Sequence, residues 1–176
     1  AEKESDIPWL SELLVLFLRN QIRVAPAMPI LAVLLAITTL QWVPALVSMT
    51  WLAAALACQG IQVYLGQWYF RKERTLDDAR DWIGMLSASE LMTGVCWSLP
   101  LFVFWPNAGS MQQIYMLASV MAVIAVRLLI VNSFMPVLIA GTGVLTVGVA
   151  LRCVFESDPI YLALGGTIVA LEAFFL

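Results

Sequence analysis

The stretch Leu46–Trp68, LVSMTWLAAALACQGIQVYLGQW, decides the fold. It carries no charge and runs for the length that a bilayer core demands, about 20 apolar residues per helix. A backbone crossing hydrocarbon must pair every N–H and C=O internally, which leaves helices or a closed barrel. Barrel strands alternate apolar and polar residues, and Leu46–Ala57 does not. The stretch therefore reads as a membrane-spanning helix. Outward from it lie five further apolar blocks: Pro26–Trp42 before it, and Ile83–Trp105, Met111–Val131, Phe134–Phe155 and Ile160–Leu176 after it. Composition agrees, with 62% apolar and 12% charged residues, about half the charged share of a typical soluble domain. The expected fold class is an all-α integral membrane protein. Residues 25–176 form a six-transmembrane-helix bundle, and residues 1–24 carry an N-terminal interfacial amphipathic helix.

The spans leave no room for a soluble nucleotide-binding or extracellular domain. The net charge of −3 is small and scattered, which argues against a nucleic-acid partner. The start, Ala1–Asp6, is polar and mixed in charge, so no cleavable signal peptide is expected. The chain begins without Met and stops inside an apolar run, as a piece of a longer protein would. Cys58, Cys96 and Cys153 form no C-x-x-C pair, which speaks against a metal site or a disulfide framework. Histidine is absent, so haem ligation by His and a phospho-accepting His are excluded within this chain. No cofactor is expected.

Basic residues set orientation. Lys3, Arg19, Arg23, Arg71, Lys72, Arg74, Arg80 and Arg127 fall on one side of the six crossings, and only Arg152 on the other. Both termini are then cytoplasmic. The outer connections Gln41–Pro44, Pro106–Ser110 and Glu156–Pro159 are short and rich in helix-stopping residues. Trp42 and Trp105 are expected as interfacial anchors on the outer side, Trp68 and Trp82 on the inner. Within Pro8–Val24, Leu10, Leu13, Leu14, Phe17, Leu18 and Ile22 recur at helical spacing, opposite Glu12, Arg19, Asn20 and Arg23. Such a helix lies in the interfacial plane; the alternative is an extension of the first span. Arg71–Asp81 reads as a solvated helical elbow.

Charges at membrane depth are costly and point to function. Glu90 is expected roughly 10 Å from the inner end of the third span, Arg127 about 6 Å from that of the fourth, and Glu172 around 12 Å from the inner face. The three are expected to form an intramembrane polar network; a static Arg–Glu pair with Arg127 snorkelling is the plainer alternative. Arg152 is expected to pair with Glu156 or Asp158. Gln59 and Gln62 share one helix face with Gly66 and either bridge helices or line a small cavity. Gly141, Gly143 and Gly148, with Ala118, Ala122 and Ala125, permit close helix approach, and Pro100 suggests a kink. Neither the internal repeat of a transporter nor the pore-lining pattern of a channel stands out.

Several motifs resemble the N-terminal six-helix sensory region of bacterial membrane histidine kinases, especially hybrid kinases of alphaproteobacterial type. They are Arg19-Asn20-Gln21, Trp42-Val43-Pro44, Gln67-Trp68-Tyr69-Phe70-Arg71-Lys72, Glu90-Leu91-Met92-Thr93-Gly94-Val95-Cys96-Trp97, Ile124-Ala125-Val126-Arg127, Phe134-Met135-Pro136 with Ala140-Gly141-Thr142, and Asp158-Pro159-Ile160-Tyr161. The resemblance implies a sensory or signal-coupling domain whose kinase output lies beyond Leu176. Its expected partners are the lipid bilayer, a second copy or a larger membrane assembly, and a hydrophobic small-molecule ligand. The competing expectations are an accessory subunit of a larger membrane complex and a small transporter.

Overall fold

The computed structural model describes residues 7–71, 78–131, 135–156 and 158–175. The expected elbow after Arg71, the connection at 132–134, Ser157 and both chain ends lie wholly or partly outside these residues. Every regular element among them is helical: α1 (Ile7–Val24), α2 (Ala27–Thr39), α3 (Ala45–Arg71), α4 (Asp78–Ser98), the single turn α5 (Pro100–Val103), α6 (Ser110–Val131), α7 (Met135–Glu156) and α8 (Pro159–Phe175). A 3-10 turn, Trp105–Asn107, follows α5.

Proline places the breaks. Pro26 lacks the N–H that would continue α1, and α2 departs from α1 at 43°. Pro44 opens α3, with its carbonyl accepting from the Val47 N–H at 2.9 Å. Between these helices the Ser48 hydroxyl donates to the Ala36 carbonyl at 3.0 Å and meets Thr39 Oγ1 at 2.9 Å, which satisfies buried polar groups where α2 ends. Pro100 divides the third apolar block into α4 and α5.

Among the described residues, four segments are long and apolar enough to cross a membrane: Ala45–Arg71, Asp81–Asn107, Ser110–Leu128 and Val137–Glu156. The bent pair Glu12–Val24 and Ala27–Thr39 passes the same test together, and Pro159–Phe174 is a shorter apolar helix. On its own α2 has 13 residues and rises about 20 Å, short of a hydrocarbon core of about 30 Å. The exterior is apolar: Leu46, Met111, Val147, Phe155 and Ile160 are all exposed. Apolar helices with an apolar outer surface make this an all-helical membrane protein.

Helix α4 packs most extensively on α7; α7 also contacts α8 and α6, and α2, α3 and α4 follow in series. The α4–α7 contact is backbone to backbone. A Cβ on Gly94 would lie 2.5 Å from the Gly141 carbonyl oxygen, so only glycine fits there. Helix α1 does have an apolar face, but Leu14, Phe17 and Leu18 bury it fully against the bundle, where α1 contacts α6 and α3. That face is committed to protein contacts, so α1 differs from a helix that buries its apolar side in lipid alone.

Candidate functional site: a buried polar cluster at a helix break

Glu90 on α4 and Arg127 on α6 are both almost fully buried. Arg127 Nη1 donates to Glu90 Oε2 in a close ion pair. The other carboxylate oxygen accepts from Gln21 Nε2 of α1 at 2.9 Å. Both oxygens of Glu90 are thus occupied by donors from two different helices, the condition under which a buried charge is tolerated. A third helix supplies the floor. A Cβ on Gly141 of α7 would sit 2.6 Å from Arg127 Nη1 and 2.9 Å from Glu90 Oε2, so the pair rests directly on α7 backbone.

Gln59 and Gln62 of α3 close the remaining side, both buried. With Gln21, Val24, Ala25, Met28, Glu90 and Arg127 they line a cavity of about 20 Å³. Four side-chain atoms of these lining residues have no hydrogen-bond partner among the described residues: Gln21 Oε1, Gln59 Oε1, Gln62 Nε2 and Arg127 Nε. Ser89 and Thr93, on α4 beside Glu90, turn their hydroxyls back to the Leu86 and Ser89 carbonyls at 2.8 and 2.9 Å, so their O–H donors are spent within α4.

Glu172 of α8 is buried, yet no hydrogen bond or ion pair joins it to Glu90 or Arg127 among the described residues, and its Oε1 is without a partner there. The structure therefore brings together two of the three expected charges and leaves the third apart. It adds Gln21 and Gly141, which the sequence reading did not place in the site. The signal for Gln21 was present: it continues the Leu14, Phe17, Leu18 stripe at i+7, i+4 and i+3, so a face that is otherwise apolar and buried ends in an amide.

The tryptophans also divide. Trp68 is exposed, as an anchor requires, and Trp42 is half-buried. Trp82 is buried and packs edge-on against Trp68 and Tyr69, with centroids 5.0 and 5.4 Å apart. Trp105 is wholly buried, which corrects its expected role at the lipid surface. Its Nε1 donates to Glu156 Oε2 at 3.1 Å, its ring lies 4.9 Å beneath the Arg152 guanidinium, and it packs edge-on against Tyr161. The reason is chemical: one apolar ring with one donor fits beside a carboxylate and a cation. Arg152 itself pairs with Glu156 at 2.7 Å, one turn along α7.

No group of three or more His, Cys, Asp or Glu residues is placed to hold a metal ion among the described residues. The cluster has one carboxylate, one guanidinium and three amides. It is suited to hydrogen bonding between helices and contains no nucleophile beside a base. Comparison with protein-family models, with curated proteins and with solved structures finds no match to this chain.

Proposed function

We propose that this chain is a membrane sensory or signal-coupling domain of the kind found ahead of bacterial histidine kinase modules. The carrying observation is the buried Glu90–Arg127–Gln21 cluster, whose members come from α4, α6 and α1 and rest on α7. Its energy depends on the relative position of these helices, so any stimulus that shifts one helix changes it. A ligand biases such an equilibrium only by its differential affinity for the two arrangements. In this reading the chain crosses a bacterial inner membrane six times, with α1–α2 as a bent first span and α8 as the sixth. Both termini face the cytoplasm, which accords with Lys3, Arg71, Lys72, Arg74 and Arg80 falling on that side of the spans and Arg152 on the other. The input is a hydrophobic small molecule or the state of the bilayer, the assembly is a homodimer or larger, and α8 is the exit to an output module.

The test uses the full-length protein. Glu172→Gln on the exit helix is expected to alter basal output with membrane insertion retained. Unchanged output at normal protein level, together with purification inside a larger complex, would replace this reading with that of an accessory subunit. Reporter fusions after Arg74 and Ser133 should read cytoplasmic, and fusions at Asn107 and Ser157 external; an external signal at Arg74 would overturn the topology.

A further inference from the structure

We infer that the cavity between the α1–α2 break and the Glu90–Arg127 pair is a binding site for a single water molecule, which joins α1 to α3 and α6. Three observations converge on it. The first is size: about 20 Å³, where roughly 10–15 Å³ on the same measure admits one water. The second is chemistry. Residues that line it carry two amide oxygens, Gln21 Oε1 and Gln59 Oε1, and two nitrogen donors, Gln62 Nε2 and Arg127 Nε, that are buried without a partner among the described residues. A buried water makes two to four hydrogen bonds as both donor and acceptor, and this set supplies both kinds. A cation is disfavoured by the adjacent Arg127 guanidinium, and the volume excludes a larger anion. The third is the backbone. Pro26 has no N–H to offer the Ile22 carbonyl one turn back, so the helical ladder is interrupted here. The flanking residues Val24, Ala25 and Met28 line the same cavity. Interrupted helix inside an apolar bundle is tolerated where it is buried in protein or lines a hydrated space.

The site makes α1 a doubly tethered helix. Gln21 donates directly to Glu90 through its Nε2, and its Oε1 accepts from the water that Gln62 and Arg127 also hold. The inference rests on the geometry of the cluster and not on a role in signalling.

Met28 provides the probe, because it lines the cavity while remaining buried. Pulsed X-ray radiolysis of the protein in lipid nanodiscs makes hydroxyl radicals from bound water in place. Met28 should be oxidised severalfold faster than Met116, which is fully buried on α6. The Gln59→Leu/Gln62→Leu variant should bring Met28 down to the rate of Met116. Equal rates in the wild type would overturn the site. So would fast Met28 oxidation that persists in the folded variant, since that would be entry of bulk solvent. If the variant does not fold, the wild type decides alone. A high-resolution map from a lipid mesophase should hold a water within hydrogen-bond reach of at least two of the four atoms. A dry cavity, with the glutamines bonded to one another, would overturn the proposal. Neither readout depends on signalling output, so the water site fails or survives separately from the proposed function.

Discussion

The Glu90 and Arg152 clusters lie about 16 Å apart along α7, measured from Gly141 to Arg152, and hold their charges in opposite ways. Arg152 and Glu156 are one turn apart on the same helix, and their side chains keep 19% and 28% exposure. That pair lies within one turn of α7; Trp105 packs onto it, and Tyr161 onto Trp105. Tyr161 carries the contact on to α6 by donating to Gln113 Oε1 at 2.6 Å. Glu90 and its partners come from three helices, and the side chains of the Glu90–Arg127 pair are only 5–6% exposed. That cluster exists only once α1, α4, α6 and α7 are in place. An ion pair within one helix near the surface reports helix formation, and one assembled from remote helices reports their arrangement. The second kind is costly to break, because a lone buried charge is left behind.

The largest effect is expected from Gly141→Leu. The new side chain must displace Arg127 and Glu90, so overpacking adds to loss of the ion pair, at least about 4 kcal/mol together. Gly166→Ala is the control, since its Cβ meets nothing within 4 Å; it should be neutral or stabilising by under about 1 kcal/mol. Denaturant unfolding in mixed micelles checks both. Equal behaviour of the two variants would mean that Gly141 is not the floor of the cluster.

Next come Glu90→Gln and Arg127→Gln. Each alone leaves its partner charged and buried and should cost about 3–5 kcal/mol. The double variant should recover part of that, and a double-mutant cycle gives the coupling. Strictly additive losses would reduce the pair to two independent packing residues. The corresponding cycle on Arg152 and Glu156 should give a coupling of only about 0.3–1 kcal/mol, because the pair is partly solvated and shares one helix. A coupling there as large as that of Glu90 and Arg127 would erase the distinction between the clusters.

The smallest of the inner effects is expected for Gln21→Leu. It removes the direct hydrogen bond to a charged acceptor, about 1.5–3 kcal/mol, and the acceptor that Gln21 offers to the cavity water, while keeping the apolar contact of α1. Limited proteolysis should then cut α1 faster, with the rest of the bundle unchanged. Unaltered protection of α1 would mean that Leu14, Phe17 and Leu18 hold it without Gln21.

Much of this architecture was legible in the chain. Uninterrupted apolar blocks give helices because hydrocarbon offers the backbone no other partner, and Pro26, Pro44 and Pro100 stand where helices break. The depths of Glu90 and Arg127, counted at the helical rise, already put them within reach of one another. The facing of side chains was far less legible. In water, the buried face of a helix is its apolar face. In a bilayer, the side toward lipid and the side toward protein are both apolar, so periodicity says little about which residues meet. Trp105 and Trp82 illustrate this: the same residues that suit a lipid interface here serve as packing inside the bundle.

By itself, then, the sequence determined that the protein is helical, apolar on its exterior, and obliged to bury a few polar side chains at fixed depths. Those properties follow from hydropathy and the rise per residue, which are additive along the chain. Tertiary structure alone decided that Gln21 reaches Glu90, that Gly141 lies beneath the ion pair, and that Glu172 stays apart from it among the described residues. Each of these depends on the rotation and close approach of helices distant in sequence, which is set by packing between glycines and small side chains; the stripe that ends in Gln21 marks a buried amide within α1 but does not name its partner.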